Sequence, residues 1–141
     1  MNGQPWEIII VKDKNIIAKL AAFKNKWIPK VKKEYEADFM MKAPTILVFC
    51  VHVKESYSRW IENGVIAGVY AVLSATTLGL GSAFTTAYNL QKPHQVQELK
   101  ILLGIPKSSY PVCIIPIGYT KEKPAPKRLR HIRGIIHHEK F

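Results

Sequence analysis

Thr45-Ile46-Leu47-Val48-Phe49-Cys50-Val51-His52-Val53 is the most sharply patterned stretch of the chain. β-branched and aromatic side chains dominate it, so it reads as a strand. Its apolar residues fall on both alternating faces, and such a strand has to be covered on both sides.

Upstream, Ala43-Pro44 sets the start of that strand. Trp6 to Val11 (Trp, Glu, Ile, Ile, Ile, Val) is a second strand, closed by Lys12-Asp13. Ile16, Ile17, Leu20, Ala21 and Phe23 recur at helical spacing, and Pro29 breaks or restarts that helix. Lys30 to Met41 then reads as a second, charged helical piece. Downstream, Ser56 is placed to cap a long helix running to about Leu78, which Gly79 stops. Gly64, Ala67, Gly68, Ala71, Ser74 and Ala75 form a stripe of small residues on it, suited to close approach of another backbone from this chain or from a second one. A short apolar piece, Ala83 to Thr86, leads to a helix from Pro93 to Leu103 that Gly104 ends. Tyr110 to Ile117 is a further strand, with Pro111 and Pro116 marking its ends or a bulge. Positions 118–141 are a Pro- and Lys-rich arm. There is no internal repeat.

With 141 residues, 48% of them hydrophobic, the chain is expected to form one domain spanning 1–141. Its 21 Lys and Arg outnumber 10 Asp and Glu, giving a net charge of +11 that favours anionic partners: nucleic acid, acidic membranes or phosphate-bearing cofactors. Between Lys24 and Lys42, Lys26, Lys30, Lys32 and Lys33 alternate with Glu34, Glu36 and Asp38, as on the wet face of a helix. Between Lys121 and Lys140, acids are scarce and Lys123, Lys127, Arg128, Arg130 and Arg133 gather, a set able to grip phosphate.

Several classes fall away. Cys50 and Cys113 lie in apolar runs, which fits reduced buried thiols and a cytoplasmic setting. Met1 to Trp6 lacks the pattern of a secretory signal. No charge occurs between Glu62 and Lys92, but Ser74, Thr76, Thr77, Gly79, Gly81 and Ser82 cut the apolar run short of a membrane span. The five histidines (His52, His94, His131, His137, His138) show no ligand spacing, so no metal site is expected. Gly79-x-Gly81 falls short of the dinucleotide fingerprint. Trp6, Trp27 and Trp60 are scattered, which suits packing better than base stacking.

Asn2-Gly3-Gln4-Pro5-Trp6 followed directly by a strand resembles the Asn-x-Gln-Pro-Trp motif that opens the first sheet strand of the nitroreductase family. The later order agrees: Ala43-Pro44 before a strand, the small-residue helix, Gly79-Leu80-Gly81-Ser82, the Leu103-Gly104-Ile105-Pro106 turn, the strand to Gly118-Tyr119, and the ending Ile135-Ile136-His137-His138-Glu139-Lys140-Phe141. The resemblance spans nearly the whole chain. It implies an α+β fold with a central, mostly antiparallel sheet flanked by helices. It also implies a homodimer in which the arm 119–141 packs on the partner subunit.

The same resemblance implies FMN held at the two-fold interface, reduced by NADH or NADPH and reoxidised by a nitro compound, quinone or other small-molecule acceptor in a ping-pong reaction. The cofactor carries that chemistry, so no catalytic side chain is expected. Asn2 and Gln4 fall on the motif that surrounds the flavin from the neighbouring subunit. Phe84-Thr85-Thr86-Ala87-Tyr88 falls where relatives place a Pro-x-Glu-Gly loop whose backbone N–H groups face the reactive ring nitrogen, with Thr86 and Ala87 replacing Glu and Gly. Lys127, Arg128 and Arg130 match the family's basic ending toward the FMN phosphate. Family members carry an Arg-Arg-Ser-like phosphate motif and a Pro-Ser turn ahead of the position of Met1, so the chain is expected to be an N-terminally short form. Two other readings stand beside this one: a non-catalytic or degenerate flavin- or nucleotide-binding protein on the same fold, and, less favoured, a basic nucleic-acid-binding domain.

Overall fold

The computed structural model describes residues 3–28, 36–121 and 135–140. β1 (Trp6–Val11) leads into α1 (Lys14–Trp27), and a single 3-10 helix (Ala37–Lys42) precedes β2 (Thr45–His52). A short 3-10 turn (Lys54–Ser56) then leads to α2 (Trp60–Thr77), β3 (Gly81–Ser82), β4 (Thr85–Thr86), α3 (Pro93–Leu103) and β5 (Ser109–Gly118). The strands form one sheet in the order β1-β2-β5-β3, with β4 beside β3 on the same flank of β5, and every pairing is antiparallel.

Alternation along β2 divides the core in two. Ile46, Val48 and Cys50 point to one face, where Ile17, Leu20, Ala21 and Phe23 of α1, Met40 and Leu99 of α3 pack against them. Phe49 points to the other, joining Cys113 and Ile115 under Ala67, Ala71 and Val72 of α2. β2 is thus covered on both faces, as its sequence requires. The small-residue stripe of α2 is turned to this chain's own sheet: a Cβ on Gly64 would come within 2.5 Å of Val112, and one on Gly68 within 2.5 Å of Cys113 Sγ.

Two readings of the sequence change. Ser56 does not cap the long helix; its hydroxyl donates to the His52 carbonyl at 2.7 Å, and α2 begins four residues later at Trp60. Tyr57 and Ser58 intervene with φ of 48° and 66°, a left-handed pair that no helix continues through. The charged piece expected at Lys30 to Met41 is, over its described part, a 3-10 helix starting at Ala37, and its residues 30–35 lie outside the described residues. The strand expected at Tyr110 to Ile117 is found as β5, one residue longer at each end, and the bulge its prolines suggested is present. Pro111 sits where the β2 register slips beside Cys50, and Pro116 faces the gap between β3 and β4. There the Pro116 carbonyl still accepts from the Ala83 N–H at 3.3 Å, but proline returns no donor, so the flanking ladder is split into two short pieces.

Candidate functional site

β4 forms the flank of the sheet beside β5. Ala87 N–H donates to the Val112 carbonyl at 2.9 Å and Ala83 N–H to Pro116, so odd-numbered residues of this segment face β5. By the alternation of an antiparallel strand, the N–H and C=O of Thr86 turn the opposite way, out of the sheet. The Thr86 carbonyl there accepts a hydrogen bond from Lys24 Nζ at 2.7 Å. Lys24 is half-buried, and loss of hydration holds its ammonium below its ordinary value.

The neighbouring side chains are occupied by the fold. Thr85 Oγ1 donates to the Ile114 carbonyl at 2.8 Å. The Phe84 ring lies over α2, 3.0 Å from where a Gly68 Cβ would be. Ala87 is fully buried in the core and keeps a negative φ, so the residue standing in place of a family glycine is unstrained. Thr86 is exposed together with its outward-facing backbone, as is Phe84, whose ring is taken up by α2.

Gln4 is exposed with φ 42°, an unusual backbone for a non-glycine residue, immediately before Pro5, whose carbonyl accepts from His52 N–H at 2.7 Å. Gly3 packs tightly beside it, since a Cβ there would meet the Glu55 carbonyl at 3.1 Å. Gln4 and Thr86 are not brought together within one subunit. Three strand spacings separate them, about 14 Å across the sheet, with a further offset along the strands of about 13 Å. Asn2, Lys127, Arg128 and Arg130 lie outside the described residues.

Reading the sequence misses Lys24, which it assigns to a solvated face. Lys26 does behave that way, pairing with Glu98 at 2.8 Å in the open. Lys24, however, follows Ile17, Leu20 and Ala21 at seven, four and three residues, which places it on the buried stripe of α1. That spacing is the signal for its inward course.

Burial pushes the thiols of Cys50 and Cys113 up to about 12, so both are protonated and inert at neutral pH. Among the described residues no cluster of three or more His, Cys, Asp or Glu side chains is placed to hold a metal ion. Trp60 stacks against Tyr110 and Tyr88 at 4.2 and 5.8 Å between ring centres, while Trp27 packs on His94 at 4.9 Å. Trp27 and Trp60 therefore serve packing between elements.

The model of the Nitroreductase family matches residues 1–119. A protein of Methanothermobacter thermautotrophicus, provisionally named NADH dehydrogenase/NAD(P)H nitroreductase, is 29% identical over 131 residues, covering 92% of this chain and 62% of that protein. The chain thus spans less than two thirds of that relative's length. A solved structure from Parabacteroides distasonis with the same provisional name superposes with a TM-score of 0.81 at 26% identity, covering 99% of this chain and 76% of the other. The FMN-dependent nitroreductase of Clostridium difficile superposes with a TM-score of 0.76 at 26% identity, covering 98% and 77%.

Proposed function

This chain belongs to the nitroreductase family, and from that premise we propose that it is an FMN-dependent oxidoreductase, working as a homodimer, that takes reducing equivalents from NAD(P)H and passes them to nitro compounds, quinones or similar acceptors. The observation that carries this reading is the exposed flank of β4. It offers an outward Thr86 N–H beside a carbonyl already claimed by a lysine, which suits the acceptor-rich edge of an isoalloxazine ring.

FMN, when bound, supplies the two-electron chemistry linking nicotinamide to acceptor. The chain's part is to bind, orient and shield. Thr86 presents a donor toward the ring. Asn2 and Gln4 reach a ring from the neighbouring subunit, consistent with the distance between Gln4 and Thr86 within one subunit. Lys127, Arg128 and Arg130 neutralise the phosphate.

No described helix is long and apolar enough to cross a membrane. The second subunit is expected on the outer face of α2, where Ile66, Tyr70 and Leu73 are 56%, 67% and 56% exposed. Such an exposed apolar helix face calls for a partner.

The test is the visible spectrum of the purified chain after incubation with excess FMN and removal of the unbound cofactor. A flavin band that travels with the protein and bleaches under NADH or NADPH, then recovers on adding a quinone or nitroarene, is the expected result. A colourless protein overturns the reading. Retained FMN that neither nicotinamide bleaches assigns the binding-only alternative.

A further inference from the structure

Resting on the FMN reading above, we propose that Lys24 is a positioning residue for the flavin, acting through the backbone of β4 from 62 residues away. The peptide joining Thr86 to Ala87 is held at both ends. Its carbonyl takes the Lys24 ammonium at 2.7 Å, and its N–H reaches the Val112 carbonyl at 2.9 Å. Clamping that plane fixes ψ of Thr86, and with it the direction in which the adjacent Thr86 N–H leaves the sheet.

The clamp also changes the chemistry of the flank. An open strand edge presents a donor and an acceptor from the same residue side by side. The nitrogen and carbonyl oxygen along the reactive side of an oxidised flavin are acceptors, so a bare Thr86 carbonyl would repel what the Thr86 N–H attracts. Lys24 occupies that carbonyl and leaves a flank that offers donors and a positive charge.

The fold carries this lysine at a cost. Lys24 sits on the buried stripe of α1 beside Leu20 and Phe23, both buried, and loses hydration there. Its partner is a neutral carbonyl, and no carboxylate among the described residues forms an ion pair with it to offset that loss. A site needed only for packing would be filled more favourably by methionine, which has an apolar stem of similar length and no charge.

The experiment compares the parent chain with Lys24→Met and Lys24→Arg by two measurements: hydrogen exchange over residues 84–88 without FMN, and FMN affinity from quenching of flavin fluorescence. The methionine variant is expected to melt at or above the parent's temperature, exchange at the Ala87 N–H about tenfold faster, and bind FMN about tenfold more weakly with a shifted flavin absorption band. Arginine keeps a donor and a charge and is expected to restore most of both. Parent-like exchange and affinity in Lys24→Met overturns the proposal. So does an arginine variant as impaired as methionine with an unchanged melting temperature, because a donor at this position would then not matter. If the parent itself takes up no FMN, the functional reading fails by that result, while parent-like exchange in Lys24→Met still separately overturns the clamp.

Discussion

Gly64 shows how little room one residue has. Its missing Cβ would lie 2.5 to 2.8 Å from three atoms of Val112, a β-branched side chain locked in the sheet. Alanine at position 64 gains up to about 1 kcal/mol in helix propensity. The clash costs more, since overpacking a closed core runs to about 1–3 kcal/mol, with this contact at the upper end. Gly64→Ala is therefore expected to lower the urea midpoint with an unchanged slope, and adding Val112→Ala should recover part of the loss; a midpoint at or above the parent's refutes the packing argument. The buried thiols give a second test. Cys50 and Cys113 keep their protons up to about 12 in the folded chain against an ordinary 9.0. Their contribution is therefore fully present below pH 9 and is lost as pH climbs toward 12, because the unfolded chain releases those protons first. The loss is on the order of 1 kcal/mol per thiol at pH 10. Urea titrations at pH 8 and pH 10 should show a steeper decline in the parent than in a Cys50→Ala, Cys113→Ala variant, and equal declines would refute it. Burial of these cysteines was legible in the sequence because each sits in an unbroken apolar run. The course of Lys24 was not, because a charged side chain on a mixed stretch looks solvated until the helix phase is counted from Ile17.

At the scale of elements, most boundaries follow from local chemistry. Pro93 opens α3 and Gly104 closes it with φ 66°. Gly79, at φ 73°, turns the chain out of α2, while Leu80 N–H reaches back to the Ala75 carbonyl at 2.8 Å. The start of α2 escaped the sequence because a serine followed by an apolar run looks like a cap, and nothing local announces that Tyr57 and Ser58 take left-handed backbones. The true side-chain cap belongs to α1, where Asp13 accepts from the N–H groups of Asn15 and Ile16 at 2.8 and 3.0 Å. Asp13→Ala is expected to cost about 1 kcal/mol, the usual loss for such a cap. Because α1 carries Lys24, it should also speed exchange at the first turn of that helix. Asp13→Asn, which keeps the acceptor, should restore most of the stability, and an alanine variant as stable as the parent would show that water satisfies those N–H groups equally well.

For the whole molecule, the question is which face of α2 meets what. The sequence displayed the small residues but left their partner open, because a helix apolar nearly all round has no polar stripe to tell inside from outside. Packing resolves the inward side: Gly64, Gly68 and Ala75 are buried, the two glycines directly on β5, while Ile66, Tyr70 and Leu73 emerge opposite. Ile8 and Ile10 of β1, 48% and 62% exposed, lie on the same side of the sheet as α2, since they stand across from Phe49 and Leu47. These exposed apolar side chains are the surface on which the proposed second copy is expected, and a two-fold axis through it would use each side chain twice. Burying an aliphatic side chain is worth roughly 1.5–3 kcal/mol. Leu73→Glu, counted on both subunits, is therefore expected to weaken association by about a hundredfold or more. Because position 73 lies outside both cores, the variant should keep the parent's circular dichroism while sedimenting as a monomer at concentrations where the parent is a dimer. On the proposed site, which takes Gln4 from one subunit and Thr86 from the other, it should also lose FMN. A parent that sediments as a monomer would overturn the dimer, and a Leu73→Glu dimer that still holds the cofactor would place the interface elsewhere.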